Sequence, residues 1–462
     1  MIPESRPNIV YIYPDQMRYD AMGNAGNRVV KTPTFDRMAA EGATFRGAYT
    51  SYPLCCPFRA SVMTGKYAHN HGLTANHYPI PLGQEYLPEI LNRHGYSTGW
   101  IGKWHLNGGK KQDFVPAEYR CGYQHFVGFS RGHEYEKSVY YVNDDETPRK
   151  SKRFEPEYQT TQLIDFMRES LESGNPFMAS ICYGPPHHPH EAPEHYLNMY
   201  SPDEIEISDR VPAGEEQRAK EFLATYYGLV TWVDYEISKV LSWIDEQGIT
   251  DNTMVIVVSD HGDMAGDYGK YQKKNLCFEG SMHVPFLMRY PNKIRKGLVI
   301  DQLVDPSVDI FSTILDICGI EIPEYAQGLS LKGQLFEEEN PLKKDYVYYQ
   351  AIRAIQQPSE SYAESNSAIR GIRTEEYLYV SEENTPTALY DLKEDPQELN
   401  NLIDDIVHTD RIRRFDKMLT QKMQELGDSW DVGNPDPIPD YQTHADGMIY
   451  GRSVYKKALL CN

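Results

Sequence analysis

The sequence predicts an α/β fold: a large, mainly parallel or mixed central sheet flanked by helices, followed by a smaller C-terminal α+β subdomain. Three observations lead there. Apolar, β-rich runs recur and end at polar or acidic residues, amphipathic helical patterns lie between them, and near residue 340 the pattern changes to short strand-like segments and one helix.

Asn8 to Tyr13 is the first such run and ends at Pro14-Asp15; Pro176 to Tyr183 repeats the design, as does Thr253 to Ser259 before Asp260. Runs that are apolar on both faces read as central strands of a largely parallel sheet. Helical patterns cover Thr34 to Glu41, Leu87 to Arg93, Tyr158 to Glu172 and Glu215 to Gln247. In the last, Phe222, Tyr226, Leu229, Val233, Ile237, Val240 and Ile244 recur at three- and four-residue steps, and Gly248 closes the helix. A helix over Val308 to Cys318 and a Gly/Pro-rich loop precede the change of pattern. Beyond it, Tyr346 to Gln350, Ala368 to Arg373, Tyr377 to Val380 and Ala388 to Leu392 read as a four-stranded antiparallel sheet, with a helix near Asp410 to Leu426. The expected division is a catalytic unit over 1–340 and a C-terminal subdomain over 341–462.

The formal charge of -21 excludes non-specific binding to nucleic acid, and an anionic small substrate requires a concentrated cationic pocket. No run of about 18 apolar residues occurs, so neither a membrane-spanning helix nor a membrane partner is expected. Met1 to Pro7 lacks the basic and apolar regions of a signal peptide, so the expected location is cytoplasmic as given, or periplasmic or secreted if a signal was removed. Seven cysteines at irregular spacing give no disulfide framework, and Cys121, Cys182, Cys277 and Cys318 read as buried thiols.

Asp15 and Asp260 each follow an apolar strand, where open parallel sheets place ligands outside the carboxyl edge. Gln16 follows Asp15, and His261-Gly262-Asp263 follows Asp260, which assembles carboxylate, amide and imidazole donors suited to a hard cation such as calcium, with magnesium as the alternative. Either acid taken alone reads equally well as a helix cap. Gly102-Lys103-Trp104-His105 ends the strand-like Ser97 to Ile101, and residues two apart on an extended segment project to one side, so Lys103 and His105 can reach one anion; taken alone, the segment reads first as a surface lysine beside a packed tryptophan. Pro185-Pro186-His187-His188-Pro189-His190 follows another strand; a histidine-rich loop of this kind is also a candidate adventitious zinc site.

The run Cys55-Cys56-Pro57-Phe58-Arg59, followed by Thr64-Gly65, resembles the C-x-P-x-R signature of the formylglycine-dependent sulfatases of the alkaline phosphatase superfamily. Ser259-Asp260-His261-Gly262, the G-K-W-H segment and the P-H-x-P at His187 match further motifs of that family in order. Tyr226 to Asp263, Val304 to Gly328, Arg370 to Tyr379 and Leu389 to Leu392 extend the likeness over nearly the whole chain.

The resemblance implies that a formylglycine-generating or sulfatase-maturating enzyme oxidises Cys55 to formylglycine (3-oxoalanine), whose hydrate is the nucleophile in sulfate-ester hydrolysis. It implies a divalent cation at Asp15, Gln16, Asp260, His261 and the modified Cys55. It also implies that Arg59, Lys103 and Lys274 balance the charge of the transferring group, that His187 is the acid for the leaving oxygen, and that His105 deprotonates the second hydroxyl. Gln16 stands where many members have a second Asp, Phe58 where they have Ser or Ala, and Lys273 is the neighbouring alternative to Lys274.

Tyrosines and histidines in Ala68 to His71, Tyr119 to Tyr141 and His187 to Tyr200 suit stacking on sugar rings, so a sulfated saccharide is the expected substrate. The alternatives are a phosphonate monoester or phosphodiester hydrolase using the same diol, and a non-catalytic protein that binds sulfated glycans with Cys55 unmodified.

Overall fold

The computed structural model describes residues 6–272, 274–352 and 368–430. Ten strands form the main sheet: β1 (Asn8–Pro14), β2 (Ala43–Ala48), β3 (Ser97–Lys103), β4 (His125–Phe129), β5 (Val139–Val142), β6 (Asp145–Lys150), β7 (Phe177–Tyr183), β8 (Thr253–Val258), β9 (Phe286–Arg289) and β10 (Leu298–Val304). Their spatial order is β10-β2-β9-β8-β1-β7-β3-β4-β5-β6. The central run β8-β1-β7-β3-β4 is parallel throughout. β9 enters antiparallel to both β8 and β2, and the β5–β6 hairpin closes one edge, so the sheet is mixed.

β1 is buried along its whole length between β7 and β8, as its unbroken apolar run requires. β6, by contrast, is exposed at every residue and carries charge at four of six positions, which keeps this edge from templating another strand. Helices cover both faces. On one, Phe35 and Met38 of the helix Pro33–Glu41, Leu163 and Met167 of Glu155–Ser173, and Val230 and Val233 of Glu216–Glu246 pack on Val10, Ile12, Val255 and Val257. On the other, the helices Cys55–Thr64, Leu87–Arg93 and Pro306–Ile317 pack on Ile9, Tyr11, Tyr13, Met254 and Ile256.

The helix Cys55–Thr64 is buried at all ten positions. Pro57 sits in its first turn, where a missing N–H costs nothing, and Gly65 ends it in the left-handed conformation (φ 69°). A Cβ at Gly65 would approach Phe311 to 2.6 Å, so the same glycine lets the helix Pro306–Ile317 close against it.

A second sheet, β11 (Val347–Ala351), β12 (Ile369–Arg373), β13 (Tyr377–Glu382) and β14 (Thr385–Asp391), is antiparallel in sequence order and packs on the helix Thr409–Leu426 through Phe415, Leu419 and Met423. Tyr67 and Val308 of the larger unit share this core. The last part of the expected subdomain, 431–462, lies outside the described residues. Among the described residues no helix is long and apolar enough to cross a membrane.

Candidate active site

Parallel strands of the main sheet deliver their following residues to a common edge. Asp15 follows β1, Lys103 ends β3, His187 follows β7, Asp260 follows β8, and Cys55 opens the helix after β2. Ser259 ties two of these ends together: its Oγ donates to Pro14 O (2.9 Å) and accepts from Met17 N (2.8 Å). Asp15 N in turn donates to Tyr183 O (2.9 Å).

The ligand atoms of Asp15, Cys55, Asp260 and His261, all buried, lie within 4.8 Å of one another; among the described residues no other such cluster of His, Cys, Asp and Glu occurs. His261 Nδ1 donates to Gly262 O (2.9 Å), which leaves the Nε2 lone pair facing Cys55 Sγ at 3.2 Å. Asp260 Oδ1 accepts from Gln16 N (3.1 Å) and His261 N (3.0 Å), while its buried Oδ2 makes no hydrogen bond. A carboxylate oxygen with no hydrogen bond, 3.7 Å from Arg59 NH2, and an imidazole nitrogen turned toward Cys55 Sγ fit a bound cation. Gln16 Oε1 borders the same space and accepts from Lys274 Nζ (3.1 Å), while its amide nitrogen donates to Asp263.

Three cationic side chains surround the cluster. Lys103 Nζ donates to Asp15 Oδ2 (2.6 Å), and Arg59 NH2 donates to the same oxygen (3.0 Å). Arg59 NH1 is fixed by Lys103 O (2.7 Å) and Trp104 O (3.2 Å), and its guanidinium lies over the Tyr13 ring at 4.8 Å. Lys274 Nζ reaches Cys55 Sγ (3.5 Å) and His187 Nε2 (3.0 Å). Lys273, the alternative, lies outside the described residues.

These charges set the local acidities. Burial works to raise the Asp15 carboxyl, but Lys103, with His187 and Arg59, holds it well below the usual carboxylate range. Burial and Asp15 push the Cys55 thiol up, yet Lys274, Lys103 and His261 bring it down to about 7. His187 is held well below the usual imidazole value by burial and by Lys274. His261 is raised because Asp260 and Cys55 outweigh burial.

His187 N donates to Asp15 O (3.1 Å), and its Nδ1 donates to His188 O (2.6 Å), so Nε2 is the nitrogen turned to Lys274. The proton between His187 Nε2 and Lys274 Nζ is therefore the one placed beside Cys55. A cavity of about 600 Å³ opens beyond this pair, lined by His133, His187, His188, Lys111, Lys137 and Glu191 among others. His190 instead packs against Phe222, with ring centroids 4.8 Å apart and the planes tilted by 55°.

The strand alternation expected to align Lys103 and His105 stops at Lys103. His105 adopts a left-handed backbone (φ 64°), so a turn rather than a strand places its ring. Its Nε2 lies 3.2 Å from His77 Nδ1, and its buried Nδ1 makes no hydrogen bond. His69 and His71, expected among sugar-stacking groups, serve the fold: His69 meets Gln350 and Leu426 O, and His71 meets Ser61 Oγ. His133 and Glu155 belong to the site's surroundings and carry no motif; a glutamate 22 residues after a histidine across a hairpin gives no sequence signal.

Residues 7–320 match the family model described as sulfatase, and residues 266–426 match the one described as the C-terminal region of N-sulphoglucosamine sulphohydrolase. The chain is 33% identical to an ulvan-active sulfatase of Formosa agariphila over 97% of this chain and 86% of that protein. It is 25% identical to an N-acetylglucosamine-6-O-sulfatase of Bacteroides thetaiotaomicron, over 92% and 87% of the two chains. The crystal structure of the yidJ protein of Bacteroides fragilis superposes with a TM-score of 0.82 at 25% identity, covering 92% of this chain and 97% of that one.

Proposed function

From the premise that the chain belongs to the sulfatase family and is a sulfuric ester hydrolase, we propose that it removes sulfate from a saccharide, using formylglycine derived from Cys55 and a divalent cation, calcium or magnesium. The observation that carries this reading is the juxtaposition at Cys55: its Sγ lies 3.2 Å from His261 Nε2 and 3.5 Å from Lys274 Nζ, inside the cluster with Asp15 and Asp260. The sulfated sugar as substrate rests on the relatives' activities and on the cavity of about 600 Å³ beside His187, which has room for a sugar ring. We place the division between catalytic unit and C-terminal subdomain near residue 340.

Asp15, Gln16, Asp260 and His261 would hold the cation. When in place, the cation and the aldehyde hydrate at position 55 would supply Lewis-acid charge stabilisation and the nucleophile, respectively. The chain's own residues do the rest. Arg59 and Lys103 are locked by Asp15 and by backbone carbonyls before any substrate arrives, so their positive charge needs no reorganisation as negative charge develops on the sulfuryl oxygens. Lys274 and His187 share the proton that the leaving oxygen takes up. His105, its Nδ1 without a hydrogen bond, is the base assigned to the second hydroxyl.

Mass spectrometry of the peptide spanning Cys55, after co-expression with a maturation enzyme, is expected to show the aldehyde. The same preparation is expected to release sulfate from one or more members of a panel of sulfated mono- and oligosaccharides. An unmodified thiol would overturn the nucleophile assignment. Turnover of phosphonate esters well above every sulfate ester would overturn the substrate class.

A further inference from the structure

We propose that Glu155 and His133 form a buried dyad that positions His187 for protonation of the leaving group. The inference rests on the reading of His187 as part of the acid.

His133 has a side chain wholly out of solvent. Its Nδ1 faces Glu155 Oε1 at 3.1 Å, and its Nε2 makes no hydrogen bond but stands 3.8 Å from Asp15 Oδ2. At that distance Asp15 pairs with this nitrogen without a hydrogen bond, so Glu155 at the other nitrogen is what fixes the ring. The glutamate is equally deep. Its carboxylate has His133 as its one ion-pair partner among the described residues, and Ser138 Oγ donates to its other oxygen (2.9 Å). Glu155 is the first residue of the helix Glu155–Ser173, where the helix dipole favours a carboxylate, and its N–H donates to Tyr135 O (2.7 Å). Histidine, acid and the intervening loop are thereby joined into one rigid piece.

That piece carries the loop of His187. The rings of His133 and His187 lie with centroids 5.2 Å apart. Tyr135 OH donates to His187 O at 2.6 Å. Gly184, three residues before His187, rests so closely on both rings that a Cβ there would come within 2.4 Å of Tyr135 Cε1 and 2.5 Å of His133 Nδ1. His187 N and His133 Nε2 approach the same residue, Asp15, the one at its backbone oxygen and the other at its carboxylate. Rotation of His133 would therefore displace the backbone that aims His187 Nε2 at Lys274. His133 borders the cavity, but its two nitrogens face Glu155 and Asp15, and Glu155 pairs with its far side, so both are positioning residues.

Leaving-group dependence separates this role from a merely structural one. A series of substituted phenyl sulfates that spans a range of phenol acidities measures how much the rate relies on proton donation. His187→Ala is expected to steepen the dependence of kcat/KM on leaving-group acidity. His133→Asn and Glu155→Gln are expected to steepen it in the same sense, with losses of about tenfold to a hundredfold for the poorest leaving group and under about threefold for the best. In the His187→Ala background, His133→Asn should add little. His133→Gln serves in place of His133→Asn if the latter fails to match the wild-type urea midpoint. Uniform losses along the series for the His133 and Glu155 variants, with a steepened series for His187→Ala, overturn the dyad alone. A slope unchanged in His187→Ala overturns the acid assignment and the dyad with it.

Discussion

Replacing Lys274 with methionine keeps the length of the side chain and removes its charge from a point 3.5 Å from Cys55 Sγ. At that distance, with an effective dielectric of about 20, a unit charge stabilises a thiolate by about 5 kcal/mol, equivalent to a ceiling of about three and a half pK units. Lys103 and His261 remain in place, so an upward move of about one to two units from the present value of about 7 is expected. The measurement uses protein expressed without a maturation enzyme, in chelator, and follows the ultraviolet absorbance of the thiolate against pH, with Cys55→Ala as the blank. The background is favourable: burial pushes Cys56, Cys182 and Cys277 up to about 12, Cys318 to about 11 and Cys121 well above its usual range, and subtracting the Cys55→Ala titration removes the contribution of Cys461, so the difference near neutrality reports Cys55. A titration of Lys274→Met that coincides with wild type would refute the placement of this cation. If Lys273→Met moves the titration instead, the charge belongs to its neighbour.

Two further outcomes test the frame around the site. Asp428→Ala strips the fully buried Arg370 of its two-pronged partner (2.6 and 2.9 Å), and about 3 to 5 kcal/mol of stability should be lost by urea unfolding; a loss below about 1 kcal/mol would mean that Ser429 O and Ile369 O suffice. Glu398, whose Oε2 accepts from Glu279 N, is pushed up to about 7 from 4.5 by burial and by Glu279. The folded chain thus keeps a proton that the unfolded chain releases, and stability falls as pH rises between those two values. The ceiling on that fall is about 3 kcal/mol. Glu398→Gln should gain on wild type across that window and hold the gain above it; parallel urea midpoints against pH would contradict the sign.

Residues that hold the candidate cation site were legible because the fold marks them locally. Asp15 and Asp260 each terminate a run of residues too apolar to be anything but a buried strand, and parallel strands bring such ends to one edge. Cys55 and Arg59 share one helix and one motif. The long helix was read within one residue at each end, since its apolar face repeats for 31 residues. Strands β5 and β6 gave no such signal, because an exposed edge hairpin buries no apolar face. That same hairpin separates His133 from Glu155, so their pairing arises from tertiary structure alone. Lys103 and His105 failed a strand rule for a related reason: the strand ends between them, and a left-handed residue decides where the second ring goes.

A chain of net charge -21 can admit an anionic ester only where the field is reversed locally. Within the chamber Arg59, Lys103 and Lys274 face Asp15, Asp260 and a thiol that ionises at about 7, so the protein's own charges come close to balance there. Balance suits folding, because three cations could not be buried together unpaired. It does not by itself attract sulfate. Under the proposed maturation, converting the thiol to an uncharged aldehyde would remove one negative charge, and a divalent cation held by Asp15, Gln16, Asp260 and His261 would add two positive ones, so the two steps together would turn a neutral cluster into an anion trap. On this account affinity for the ester would depend on both steps, and because Cys55 is wholly buried in the fold its oxidation would have to precede closure of the site.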